Sequence, residues 1–314
     1  MAALPPERSE ITRPFANTGI DFAGPFDVKS YSGRACRISK GYVCVFVCFS
    51  TKAIHLEATS DLSTQAFLAA FSRFVSRRGC PLNLYSDNGT TFVGASRILA
   101  REFVQTSQQR IVADYAHQNI SWHFIPAAAP HMGGLWEAGV KSFKTHFRKI
   151  AGCYKYTFEE LSTLLSKIES CLNSRPISPI STDPTDLCAL TPGHFLIGTP
   201  ILSHIDPQVD DSSISLINRW QRLKLIHQNF CLRWKHEYLK EMNKRIKWQR
   251  PEVDIQEGSM VVIKDENLPP NSWRLGRIVK IYSGSDNRVR VADVLTQRGL
   301  ITRPIVKLVL LPAA

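Results

Sequence analysis

The chain has 314 residues, 44% of them hydrophobic, enough to bury a sizeable core and to divide into more than one domain. Its 39 Lys and Arg outnumber 27 Asp and Glu and give a formal net charge of +12, which excludes an acidic solvating tail and points to a polyanionic partner. No apolar run approaches the roughly eighteen residues of a membrane span, and "MAALPPERSE" lacks the apolar centre of a signal peptide, so an intracellular protein with no membrane partner is expected. Eight cysteines, with no CxxC pair and no HxxxH, suit reduced structural thiols and no zinc site.

In chain order, residues 1–16 read as an extension. "NTGIDFAG" (17–24), "KGYVCVFVCFS" (40–50) and "KAIHLEA" (52–58) read as strands, close enough in sequence for an antiparallel meander. "STQAFLAAFSRFVSRR" (63–78) carries Phe67, Leu68, Phe71 and Phe74 at helical spacing, with Ser63 as N-cap and Gly79 at the stop. "LNLY" (82–85) is a short strand that ends at Asp87. Next come a helix over about 95–117, a strand at 120–126, a glycine-rich loop at 127–134 and a helix at 134–150. This β-β-β-α-β-α-β-α order predicts an α/β fold, one mixed sheet flanked by helices.

Beyond it, Thr157 and Glu160 have the spacing of a capping box, and Leu161, Leu164, Leu165, Ile168 and Leu172 share one helical face. Residues 177–215 read as an ordered loop or linker. Residues 218–250 form a long basic helix with an aromatic stripe of Trp220, Phe230 and Trp234. From 255 to 312, short strands with tight turns predict a small all-β barrel. The expected divisions are 1–16, 17–155, 156–250 and 251–314.

The helix at 134–150 is the most informative. At 100° per residue Trp136, Val140, Phe143, Phe147 and Ile150 fall on one face, while Glu137, Lys141, Lys144 and Arg148 share another stripe about 60° wide. One acid thus heads a row of cations, behind a glycine-rich approach that lets a ligand come close. Asp21 interrupts an apolar strand, where a charge needs a partner. Three converging carboxylates, Asp21, Asp87 and Glu137, would make an oxygen-only site suited to Mg2+ or Mn2+, able to place two ions about a phosphodiester. His55, His123 and His131 read as structural, and Cys44 and Cys48 as core thiols. The basic run "NKRIKWQR" is either a nuclear address or a solvated helix end.

"GIDFAGPF", "YSDNGTTFVGA" and "PHMGGLWEAGVKSFK", in that order, resemble the three blocks of the DDE integrase core of retroelements, in particular the BEL/Pao class of LTR retrotransposons. The segments 172–198 and 261–294 are similar to the regions C-terminal to that core in those polyproteins. The resemblance implies an RNase H-like fold whose Asp21, Asp87 and Glu137 hold two Mg2+ or Mn2+ ions. It implies trimming of the element's DNA ends, then transfer of the freed 3′-hydroxyl onto target DNA in the nucleus by a homo-oligomer.

By the same carry-over, Lys141 and Lys144, with Arg148 behind them, grip the DNA end, and Asn88 and Gly89 shape the loop beside the metals. Arg274, Arg277, Lys280, Arg288 and Arg290 of an SH3-like C-terminal module serve as phosphate contacts, which position DNA without reading its sequence. Residues 1–16 are too few for the family's His/His/Cys/Cys zinc module, so no zinc is expected. The interval between Asp87 and Glu137 also contains Glu102 and Asp114 as alternative third acids. A nucleic-acid-binding protein derived from an integrase fragment, without catalysis, is the other reading.

Overall fold

The computed structural model describes residues 12–33, 35–107, 120–125, 134–151, 154–201, 218–249, 255–265, 268–285 and 288–312, with backbone alone at 105–107, 134–139, 142, 151 and 244–249. The chain divides into two compact units, Met1–Glu169 and Ser170–Ala314. No helix among the described residues is long and apolar enough to cross a membrane.

In the first unit the strands are β1 (Asn17–Lys29), β2 (Ile38–Cys48), β3 (Ile54–Thr59), β4 (Asn83–Ser86), β5 (Ser121–Phe124) and β6 (Tyr156–Thr157). The helices are α1 (Thr64–Arg78), α2 (Thr90–Ser107), α3 (Gly134–Ala151) and α4 (Phe158–Asn173), which begins in this unit. The expected order of three strands and alternating helices and strands is observed. Strand order is β3-β2-β1-β4-β5, with β6 also paired to β1. β1, β2 and β3 form an antiparallel meander, and β4, β5 and β6 join in parallel. α1 carries the chain back across the sheet from the edge strand β3 to β4 beside β1, and the parallel neighbours β4 and β5 are connected through α2.

The β2 segment from Val43 to Cys48 is buried at every residue, which is why its sequence is an unbroken apolar run. Helix α3 packs on β1 and β2, with Val140, Phe143 and Phe147 buried as the periodicity predicts. Phe147 meets Phe26 of β1 edge-on at 4.9 Å. On α1, Phe67, Phe71 and Phe74 are buried while Leu68 is half-buried, and Phe74 stacks on Phe46 of β2 at 4.2 Å. Such a pair adds about 0.5–1.5 kcal/mol beyond the area it buries.

The helix ends obey local chemistry. The Ser63 hydroxyl accepts from the Ala66 amide at 3.1 Å, and Gly79 closes α1 at φ 85°, a left-handed conformation that glycine adopts without strain. Thr157 and Glu160 cap α4 reciprocally, the Glu160 amide donating to Thr157 Oγ1 at 3.2 Å and the Thr157 amide to Glu160 Oε2 at 2.8 Å. Helix α2 begins at Thr90, earlier than the apolar periodicity indicates, and the expected end of that helix lies outside the described residues. So do Asp114, His131 and the loop before α3, apart from Gly134.

The second unit contains a two-stranded ribbon of β7 (Ser178–Pro179) and β8 (Ala189–Leu190), α5 (Pro192–Ile197), α6 (Arg219–Gln249) and a five-stranded sheet. The ribbon and α5 stand where a loop or linker was expected. The sheet strands are β9 (Met260–Ile263), β10 (Leu275–Ser283), β11 (Val289–Thr296), β12 (Gly299–Pro304) and β13 (Leu308–Leu310), ordered β12-β11-β10-β9-β13 and antiparallel throughout.

β12 follows β11 through a turn at Gln297–Arg298, with Gly299 already paired to Thr296. Val261 and Ile263 of β9 join Ile278, Ala292, Val294 and Leu308 in one cluster, with Ile301 and Leu310 against it, so all five strands feed one apolar face. The alternate residues Met260 and Val262 join Leu239 and Met242 of α6 on the other face. In α6, Phe230 and Trp234 are buried and Trp220 is 52% exposed, so two of its three stripe aromatics serve packing.

Candidate functional site

β1 and β4 place the first two acids. Their parallel register sets Asn17 against Asn83 and Gly19 against Tyr85; continued by two residues, it brings Asp21 level with Asp87. Neighbouring strands lie about 4.8 Å apart, so Asp21 of β1 runs beside the chain where it leaves β4 for Asp87. Asp21 is half-buried, and its Oδ1 accepts from the Phe22 amide at 2.6 Å. Asp87 lies one residue beyond β4 and is exposed. Its Oδ1 accepts from the Gly89 amide at 3.0 Å, and a Cβ on Gly89 would lie 3.0 Å from that oxygen, so glycine leaves the carboxylate room.

The loop after β4 is tied to β5. Asn88 Nδ2 donates to the Ile125 carbonyl at 2.8 Å, and Trp122 Nε1 donates to Ser86 Oγ at 2.9 Å. Asn88 therefore holds the loop that carries Asp87.

Helix α3 brings the cations. Lys144 Nζ donates to Asp21 Oδ2 at 2.7 Å, the two side chains being 39% and 29% exposed. Lys141 and Arg148 are exposed on the same helix. Glu137 lies in the first turn of α3, two turns before Lys144 and about 10 Å from it along the axis, but its side chain is outside the described atoms. Among the described residues no group of three or more His, Cys, Asp or Glu is placed to hold a metal ion. Asp21 and Asp87 alone offer a donor set of hard carboxylate oxygens, which fits Mg2+ or Mn2+ rather than a softer ion. Glu102, on α2, is exposed.

A second constellation in this unit escaped the sequence. His55 of β3, 1% exposed, sits between two acids, with Nε2 3.1 Å from Glu57 Oε1 and Nδ1 3.1 Å from Glu169 Oε2. Arg73 Nε and Arg77 of α1 donate to Glu57 at 2.6 and 2.9 Å, and Arg78 pairs with Glu169 of α4. The Leu56 amide adds a bond to Glu169 Oε2 at 2.9 Å. Burial alone would push the His55 pKa down, but the bonds to Glu169 and Glu57 outweigh it and hold the ring above its ordinary value. Burial would likewise raise both acids, yet His55 with Arg73 at Glu57, and His55 with Arg78 at Glu169, hold them below theirs.

This closed network ties β3, α1 and α4 together. Alternation along "KAIHLEA" places His55 and Glu57 on one face, but only the packing of α4 brings Glu169 to them. Cys44 and Cys48 are fully buried, and burial, then the Asp21 charge, push the Cys44 thiol well above its usual range, as befits a neutral core thiol. His123 is exposed, stacks on Tyr85 at 4.8 Å and meets Asn83 Oδ1 at 3.0 Å.

The five cations expected to meet phosphate in the second unit are placed very differently. Arg277 is 5% exposed, its guanidinium spent on the carbonyls of Asp186 at 2.9 Å, Gly258 at 3.0 Å and Ser181 at 2.5 Å. It staples the β7–β8 segment to the sheet and has no free edge for a phosphate, which alternation along β10 could not reveal. Arg274 is half-buried and bonds Asp265 at 3.1 Å. Lys280 is exposed over the Tyr282 ring, 5.3 Å from its centroid, and Arg288 and Arg290 are exposed.

Residues 218–311, which take in α6 and the five-stranded sheet, match a family of unknown function, DUF5641. No curated protein matches the chain. Among solved structures it is similar to a chain in the cryo-EM structure of a simian T-cell lymphotropic virus intasome in complex with PP2A regulatory subunit B56 gamma. That similarity has 12% identity and a TM-score of 0.39 over 97% of this chain and 82% of the other.

Proposed function

We propose that the chain is a retrotransposon integrase-type polynucleotidyl transferase acting on DNA. The observation that carries this reading is the parallel pairing of β1 with β4, whose register, extended two residues beyond its last pair Gly19–Tyr85, would set Asp21 level with Asp87. Two acids far apart in sequence, each with a solvent-accessible side chain, are then carried by neighbouring strands, Asp21 within β1 and Asp87 one residue past the end of β4. The order of elements and the three sequence blocks support it. In this reading the first sheet is an RNase H-like core within 17–155, 156–250 is a helical extension, and the five-stranded sheet within 251–314 is an SH3-like DNA-binding module.

Asp21, Asp87 and Glu137 would hold two Mg2+ or Mn2+ ions, which when bound activate the attacking oxygen and stabilise the leaving one. Asn88 keeps Asp87 in position through Ile125, and Lys141 and Arg148 hold phosphates of the incoming DNA end. Trimming uses water to break a phosphodiester and leaves a 3′-hydroxyl. That hydroxyl then attacks a target phosphodiester in line: one P–O bond forms, the bond to the target's 3′-oxygen breaks, the attacking hydroxyl gives its proton to solvent and the leaving 3′-oxygen takes one from it. One diester is exchanged for another, so no nucleotide cofactor is consumed. Joining both ends takes two active sites, hence a homo-oligomer, and the substrate places the work in the nucleus.

The test is strand transfer from a short duplex carrying the element's terminal sequence into plasmid DNA in Mg2+. Wild type forms a joined product and Asp21→Asn, Asp87→Asn and Glu137→Gln form none; absence of product from wild type sinks the reading. A second reading, a DNA-binding protein without this chemistry, draws on the Lys144 ammonium seated on the Asp21 carboxylate. It predicts wild-type DNA binding with no joining.

A further inference from the structure

The second unit also has a basic groove. It has a volume of about 330 Å3 and is lined by Lys264 at the end of β9, Arg274 before β10, Arg303 on β12 and Lys307 in the 3-10 turn Ile305–Lys307. The one acid in its wall, Asp265, bonds Arg274. Four cations therefore face one carboxylate in a single concavity.

The fold forces this crowding. The Lys264 amide donates to the Lys307 carbonyl at 2.8 Å, which locks the two lysines side by side, and Lys264 Nζ is anchored on the Val306 carbonyl at 3.0 Å. Burial, then the Lys307 charge, push the Lys264 amine below its ordinary value. An anion entering between them would relieve that repulsion. At liquid density the volume corresponds to about ten waters, room enough for a phosphodiester group. The Val306 and Thr302 carbonyls each accept one bond, from Lys264 and Arg303 respectively, but no carboxylate in the groove wall balances Lys264, Arg303 and Lys307 once Asp265 is bonded to Arg274.

We propose that this groove is a phosphate-binding site that takes one backbone phosphate of duplex DNA, with Lys264, Arg303 and Lys307 as its contacts and Arg274 held at its wall by Asp265. It rests on the reading that the chain binds DNA, and it moves the phosphate contact of the second unit from the buried Arg277 to three residues that the sequence did not single out.

The experiment uses the full chain and a labelled duplex, with binding followed by anisotropy over a salt series. In parallel, amines are labelled with an acylating reagent and read by mass spectrometry. Saturating duplex is expected to protect Lys264 and Lys307 several-fold. Arg303→Gln/Lys307→Gln is expected to bind about tenfold more weakly near 0.1 M salt, with the slope of log affinity against log salt shallower by about 1, the counterions of one phosphate. If the duplex binds but both lysines label as in its absence, the groove is overturned and DNA binding stands. If wild type does not bind the duplex at any salt, both fall. The labelling is done on wild type, so a folding defect in the variant cannot mask the result.

Discussion

Lys144 Nζ lies 2.7 Å from Asp21 Oδ2, a cation from α3 set on a carboxylate of β1, the strand that pairs with β4 just ahead of Asp87. Both side chains are more than a quarter exposed, so the pair is worth at most about 1 kcal/mol. A divalent ion held by two or three carboxylates gains more than that and can displace the ammonium. Lys144→Met is therefore expected to leave the melting temperature nearly unchanged. It should tighten Mn2+ binding by about fivefold, the equivalent of the lost ion pair. Mn2+ titration followed by electron paramagnetic resonance reads this directly, and unchanged affinity would mean that Lys144 and the metal do not compete.

Asp87→Asn isolates chemistry from folding. Asp87 is exposed, and an asparagine oxygen can still accept from the Gly89 amide. Stability should stay within about 0.5 kcal/mol of wild type while Mn2+ binding weakens by at least tenfold and joining is lost. A substantial fall in the denaturation midpoint would instead assign Asp87 a structural role.

The His55 network predicts a pH dependence with a definite sign. The folded ring titrates above its ordinary value near 6.5, so its contribution is fully present below that value and is lost as pH rises through the folded pKa. Glu57 and Glu169 are depressed, so their contribution is present above their ordinary value near 4.5 and is lost as pH falls through their folded values. Melting temperature should accordingly fall as pH rises above about 6.5. In His55→Gln that decline should be flattened, with lower stability below about pH 6.5. Parallel wild-type and variant profiles would remove His55 as the cause.

Arg277 is expected to behave as a core residue. Removing a 5% exposed guanidinium orphans three carbonyls, and Arg277→Ala should cost about 2–4 kcal/mol in the second unit by denaturant unfolding. Lys280→Ala, at an exposed position on β10, should cost less than about 0.5 kcal/mol. Equal costs for the two would contradict the buried geometry.

The amino-acid sequence by itself determined the elements whose causes are local. Ser63 and the Thr157–Glu160 pair cap their helices within three residues, Phe67, Phe71 and Phe74 repeat at the helical period, and the apolar run in β2 names itself as a doubly covered strand. It also marked Asp21 and Asp87, because an acid in an apolar strand and an acid at a strand's end each stand out from their neighbours.

Tertiary structure decided what those acids and cations meet. The pairing of β1 with β4 brings the strand that carries Asp21 beside the one that leads into Asp87, and α3 lays Lys144 on Asp21 from more than a hundred residues away. Likewise, Arg277 turns inward while Arg303 and Lys307 gather beside Lys264, although all four look alike as basic residues in strand-rich sequence. Side-chain period tells which face of an element a residue occupies, and only the register between elements tells which partner waits there.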